Sequence, residues 1–117
     1  MPLQGTPDEF VSVLHKTIVA LIRRDGPDLT ARQLGVFLRV YVYAELQTGT
    51  DLAVALNVHR GIISRALDRL VEADLVRREP NPEDYRSVLA GRTVKGAALF
   101  REIRQIMREA ALDLRGT

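Results

Sequence analysis

The sequence predicts a mainly α-helical domain carrying one small β-hairpin, in the order helix, helix, short helix, turn, helix, hairpin, helix. Three observations lead there. Apolar residues recur at spacings of three and four along several separate stretches. Threonine start signals stand ahead of three of them, at Thr30, Thr48 and Thr93. A proline-bearing loop, Pro80-Asn81-Pro82, divides two short runs of strand character.

The first predicted helix covers residues 8–24. Phe10, Val13, Leu14, Thr17, Ile18, Leu21 and Ile22 form one stripe, with Asp8 and Glu9 near the start and Arg23 and Arg24 near the end, as the helix dipole favours. Asp25-Gly26-Pro27 stops it. Thr30-x-x-Gln33 is a capping box that opens the second helix through Leu34, Phe37, Leu38, Tyr41 and Val42. Thr48-x-x-Asp51, a weaker version of the same box, starts a short helix through Leu52, Ala55 and Leu56. Asn57-Val58 breaks the chain before a fourth helix at 60–73, with Ile63, Ala66, Leu67, Leu70 and Val71 inward.

Strands at 75–79 and 87–91 flank a loop at 80–84 that no helix can cross. Thr93 caps a last helix at 94–114, apolar at Ala97, Leu99, Phe100, Ile103, Ile106 and Met107. A short helix joined by a tight turn to a longer one and closed by a hairpin is a winged helix-turn-helix. The expected organisation is one domain over 1–117, with that core at 30–92 and flanking helices at 8–24 and 94–114 as a dimer interface.

Composition removes several classes of function. The chain has no cysteine, which excludes disulfides, thiolate metal sites and cysteine nucleophiles. Its two histidines, His15 and His59, are far apart, and His15 beside the first apolar stripe reads as a packing residue; no metal site is expected. No glycine-rich phosphate loop or nucleophile–base pair is visible, so neither catalysis nor a cofactor is expected. The longest apolar runs, Ile18–Ile22 and Val40–Ala44, are too short to cross a bilayer, and residues 1–10 lack the pattern of a secretion signal. The expected compartment is the cytoplasm, without a membrane partner.

Net charge does not carry a nucleic-acid argument. The formal value is only +2, and residues 57–92 hold seven arginines against six acids. Placement matters more than sum. With Ile63, Leu67 and Leu70 inward, the opposite face of the fourth helix presents Arg60, Gly61, Ser64, Arg65, Asp68 and Arg69. Arginine can bind guanine in a bidentate way, worth about 1–3 kcal/mol of discrimination. Serine can donate to a base or a phosphate, and Gly61 lets a backbone approach. His59 stands just ahead, as a helix cap, a solvent-exposed side chain or a phosphate contact. On an isolated helix this pattern is an ordinary solvated face; its place after a tight turn favours a groove-reading one.

The hairpin supplies the second signal. Arg77 and Arg78 lie on its first strand and Asp84-Tyr85-Arg86 at its tip. A narrow loop can place one arginine in a minor groove, with Asp84 holding it extended and Tyr85 against sugar or phosphate. The plain alternative is an ordinary surface ion pair at a turn.

These residues resemble a known family. Leu29-Thr30-x-x-Gln33-Leu34, the 51–58 run DLAVALNV, the 63–78 run ISRALDRLVEADLVRR, the 82–89 run PEDYRSVL and Thr93-x-Lys95-Gly96 look like the MarR (multiple-antibiotic-resistance regulator) family of bacterial transcription factors. The resemblance spans Leu29–Phe100. It implies a homodimeric regulator, a repressor by expectation, on a pseudo-palindromic operator in double-stranded DNA. Arg60, Ser64 and Arg65 would serve the major groove, and Asp84 and Arg86 the wing. The full DNA-binding set expected is His59, Arg60, Gly61, Ser64, Arg65, Arg69, Arg77, Asp84, Tyr85 and Arg86. His59 stands where the family often has a small capping residue, and Arg92 where an apolar one is usual. The terminal helices suffice to pair two subunits, but no roomy small-molecule effector pocket is expected. The competing function is a winged-helix module that binds protein without specific DNA contact. An apolar rather than Arg/Ser-rich face at 60–69 would favour it.

Overall fold

The computed structural model describes residues 4–116. Its elements are α1 (Pro7–Arg23), α2 (Ala31–Val42), β1 (Gln47–Thr48), α3 (Gly49–Leu56), α4 (Arg60–Glu72), β2 (Val76–Pro80), β3 (Val88–Arg92) and α5 (Val94–Gly116). The mainly helical reading holds. One correction concerns the sheet, which has three strands in the order β1-β3-β2, all antiparallel. Gln47 and Thr48 pair with Ala90 and Leu89, adding a strand too short for any alternation to betray.

The helix starts follow from side-chain capping. Thr30 and Gln33 exchange bonds of 3.1 and 3.1 Å, and Thr48 and Asp51 of 3.0 and 3.0 Å, so aspartate completes the box as glutamate or glutamine would. Thr6 and Glu9 form a further box at 2.8 and 3.2 Å, which moves the start of α1 to Pro7. Helix ends use left-handed residues. Asn57, at φ 54°, closes α3 while the Val58 N–H donates to the Ala53 carbonyl at 3.1 Å. Asp74, at φ 58°, does the same after α4, with the Leu75 N–H donating to the Leu70 carbonyl at 2.9 Å.

The chain forms two compact units: Leu29–Phe100, and α1 with the part of α5 beginning at Arg101. The first holds the main core, where Phe37, Leu52, Ile63 and Leu70 are fully buried. A polar knot fastens the base of its hairpin. The Tyr41 hydroxyl donates to the Leu75 carbonyl at 2.6 Å and accepts from the Thr93 N–H at 3.0 Å. Thr93 Oγ1 donates to the Asp74 carbonyl at 2.7 Å and accepts from the Gly96 N–H at 2.9 Å, so Thr93 caps α5 as its sequence suggests. A Cβ on Gly96 would overlap both the Tyr41 hydroxyl and the Leu75 carbonyl. Glycine is required there for close approach.

In the other unit Thr17, Ile103 and Ala110 are buried and Arg24 meets Glu102 at 3.7 Å. Most of the α1 stripe is not covered. Phe10, Val11, Leu14, Ile18 and Ile22 of α1, and Met107 and Leu112 of α5, stay exposed. Burying a side chain of this size is worth roughly 1.5–3 kcal/mol, so such a face on one chain is an unsatisfied surface.

Candidate nucleic-acid interface

α4 packs Ile63, Ala66, Leu67 and Leu70 into the core. By helical periodicity Arg60, Ser64, Arg65 and Arg69 then occupy the other side, and Arg60, Arg65 and Arg69 are exposed. His59 is the N-cap: its Nδ1 accepts the Gly61 N–H at 3.0 Å, satisfying one of the orphan donors of the first turn. The capping reading of His59 therefore accounts for its ring. A Cβ on Gly61 would stand 3.2 Å from that same nitrogen, so the small residue leaves room for the cap.

Arg60 bends back over the start of α3. Its guanidinium lies against the α-carbon of Gly49, where any Cβ would collide with it, and Nη1 donates to Ser64 Oγ at 3.2 Å. Arg65 has neither an acidic partner nor a hydrogen bond among the described residues. Arg69 sits 3.6 Å from Glu72 in a well-exposed pair, which contributes little.

The wing is built by strand alternation. Val76 and Ala90 are buried, and Arg78 pairs with Ala90 across the ladder, so its side chain leaves β2 on the α4 side and bonds Asp68. Arg77 leaves on the opposite face, where it pairs with Glu79. Arg78, outside the expected binding set, is thus the strand arginine that meets the helix. The buried Val76 two residues earlier is the signal that identifies it. Its bond also neutralises Asp68, the acid on the exposed face of α4.

Two turns shape the tip. Asn81 Oδ1 accepts the Glu83 N–H and Asp84 Oδ1 the Arg86 N–H, each at 3.0 Å, while Asn81 Nδ2 donates to Ser87 Oγ at 2.8 Å. Arg86 Nε lies 3.7 Å from Asp84 Oδ1, and its guanidinium stands 5.9 Å from the Tyr85 ring centre. Tyr85 is 91% exposed, so it does not cover the loop. Arg60 and Ser64 of α4, Arg78 of β2 and Arg86 of the wing border one cleft of about 170 Å³. Of the expected residues, the structure brings Arg60, Ser64 and Arg86 to this cleft. Arg65 and Arg69 lie further round α4, and Arg77 also borders the cleft although its charge is directed to Glu79.

A capped helix after a tight turn, with an arginine-bearing face beside an arginine-tipped β-ribbon, defines a winged helix-turn-helix domain. The sequence profile of the MarR family matches residues 29–88, and the chain belongs to that family. The multiple antibiotic resistance protein MarR of Escherichia coli is 39% identical over 80 residues, covering 68% of this chain and 55% of that protein. Its Salmonella typhimurium counterpart is 37% identical over 78 residues, covering 67% and 54%. The chain thus spans about half the length of the curated relatives it matches. A cysteine-to-serine mutant of E. coli MarR, solved in complex with operator DNA, superposes with a TM-score of 0.68 at 30% identity, over 89% of this chain and 69% of that one. A Mycobacterium tuberculosis protein shares the fold with a TM-score of 0.74 at 24% identity, over 92% and 70%. No helix among the described residues is long and apolar enough to cross a membrane.

Proposed function

We propose that this chain is a sequence-specific, double-stranded-DNA-binding transcriptional regulator, a repressor acting as a homodimer on a pseudo-palindromic operator in the cytoplasm. The observation that carries this reading is the shared cleft: Arg60 and Ser64 of the recognition helix stand beside Arg86 of the wing. This pairing suits donors reading a major groove beside a cation entering the adjoining minor groove. His59, Gly61, Arg65 and Arg69 extend the helix side of the contact, and Arg77, Asp84 and Tyr85 the wing side. The likeness to an E. coli MarR structure solved with operator DNA supports DNA as the partner.

None of the large exposed apolar side chains among the described residues lies on α4, which disfavours a protein-binding face there. Those on α1 and the end of α5 suit a second copy instead. Two copies paired through these helices would present their recognition helices to half-sites about 10–10.5 base pairs apart. Selection from random duplex DNA across a salt series, run beside a solution mass measurement, tests the proposal. The expected result is a palindromic motif bound by a dimer, with affinity falling steeply as salt rises. Recovery of no motif would remove the regulator reading, and a monomer would remove the palindrome.

A further inference from the structure

Besides the cleft between α4 and the wing, the Leu29–Phe100 unit carries a second basic surface. A groove of about 410 Å³ runs between the first turn of α2 and the outer side of α4, bordered by Arg32, Gln33, Arg65, Asp68, Arg69 and Glu72. Its charges do not cancel. Asp68 is bonded by Arg78 from the hairpin, which leaves Glu72 facing Arg69. Arg32 and Arg65 are both exposed, and neither has an acidic partner or a hydrogen bond among the described residues. Gln33 spends its carbonyl oxygen on the Thr30 N–H in the capping box, so its amide NH₂ remains a donor. The groove therefore offers donors and positive charge without a matching set of acceptors.

We propose that this surface grips the phosphate backbone of DNA and that Arg32 is its anchoring contact; the inference rests on the regulator reading above. A helix with its side chains is about 10–12 Å across and the major groove about 12 Å wide, so α4 fills the groove between two sugar–phosphate strands. Elements at the flank of α4 then meet a backbone strand. On one flank stands the wing. On the other stands the first turn of α2, carrying Arg32. A contact of this kind fixes the orientation of the duplex and reads no bases.

Fluorescence anisotropy across a salt series, on the selected duplex and on a scrambled one, tests the assignment with Arg32→Ala and Arg32→Lys. Arg32→Ala should weaken both duplexes by the same factor and lower the slope of log K against log salt by about 1.8, since the dimer loses one phosphate contact in each subunit at about 0.9 apiece. Arg32→Lys should keep the slope. Arg65→Ala serves as the contrast, since it should also alter the preference between the two duplexes. Thermal melting of the variants checks that the exposed substitution leaves the fold intact. Two outcomes would overturn the assignment while the regulator reading stands. In one, Arg32→Ala binds with wild-type slope. In the other, Arg32→Ala weakens the selected duplex alone, which would make Arg32 a sequence-reading contact instead of a backbone one. If the wild-type chain discriminates between no duplexes at all, the underlying reading falls with it.

Discussion

The guanidinium of Arg92, the last residue of β3, donates to the carbonyl of Tyr43 at 2.9 Å. It also donates to the carbonyls of Val40 and Tyr41, each at 3.2 Å. One side chain from the wing thus satisfies two orphan acceptors in the last turn of α2 and that of its C-cap, and its cation sits where the helix dipole favours it. Arg92→Leu should lower stability by about 1–2 kcal/mol, the range for hydrogen bonds to a charged group allowing for solvent access. Urea unfolding at constant m-value measures this. Arg92→Lys, with charge but no planar fork, should recover only part of the loss.

Gly96 sets a second, sharper expectation. Gly96→Ala places a methyl group on the Tyr41 hydroxyl and the Leu75 carbonyl, and should cost about 1–3 kcal/mol as an overpacked contact. Tyr41→Phe removes one of the two obstacles along with a buried hydrogen bond. The double variant should therefore be less destabilised than the sum of the singles. Strict additivity in a thermal or urea cycle would refute the overlap.

The helix and the wing should fail differently. Arg65→Ala is expected to erase discrimination at one base position in each half-site, worth about 1–3 kcal/mol there. Arg86→Ala should weaken binding chiefly for operators with A·T-rich flanks, whose narrow minor groove attracts a cation. Competition binding with duplexes varied at single positions separates the two.

His59 can be tested as a cap apart from any role on DNA. His59→Ala should destabilise by about 1 kcal/mol, while His59→Asn, which restores an acceptor at the same place, should be close to neutral. Equal melting temperatures for the two variants would contradict the capping geometry.

The exposed stripe of α1 predicts an assembly. Leu14→Asp, at a position 55% exposed in the single chain, should leave that chain folded but halve the mass seen by sedimentation equilibrium. Binding to a single half-site should persist, with the gain from a second half-site lost.

Much of this structure is legible in the sequence because its signals are local. A capping box spans four residues and a helical stripe repeats within a turn, so Thr30, Thr48, Thr93 and the buried face of α4 can be read directly. Thr6 and Glu9 carry the same signal, yet starting α1 at Asp8 on charge alone passes over it. The misses are of another kind. β1 has two residues, below the length at which alternation shows. Arg92 breaks a family pattern in one dimension and acquires a reason only in three, from carbonyls some fifty residues earlier in the chain. Arg77 and Arg78 look equivalent as a pair; the pleat, anchored by Val76, makes them face opposite ways.

The lodging of Arg60 over Gly49 ties two positions into one inheritable unit. A side chain introduced at 49 must evict the guanidinium from its seat, and a shorter residue at 60 would leave bare space above the turn. Divergence within this fold would therefore tend to alter both sites together, the start of α3 changing in step with the first residue of α4.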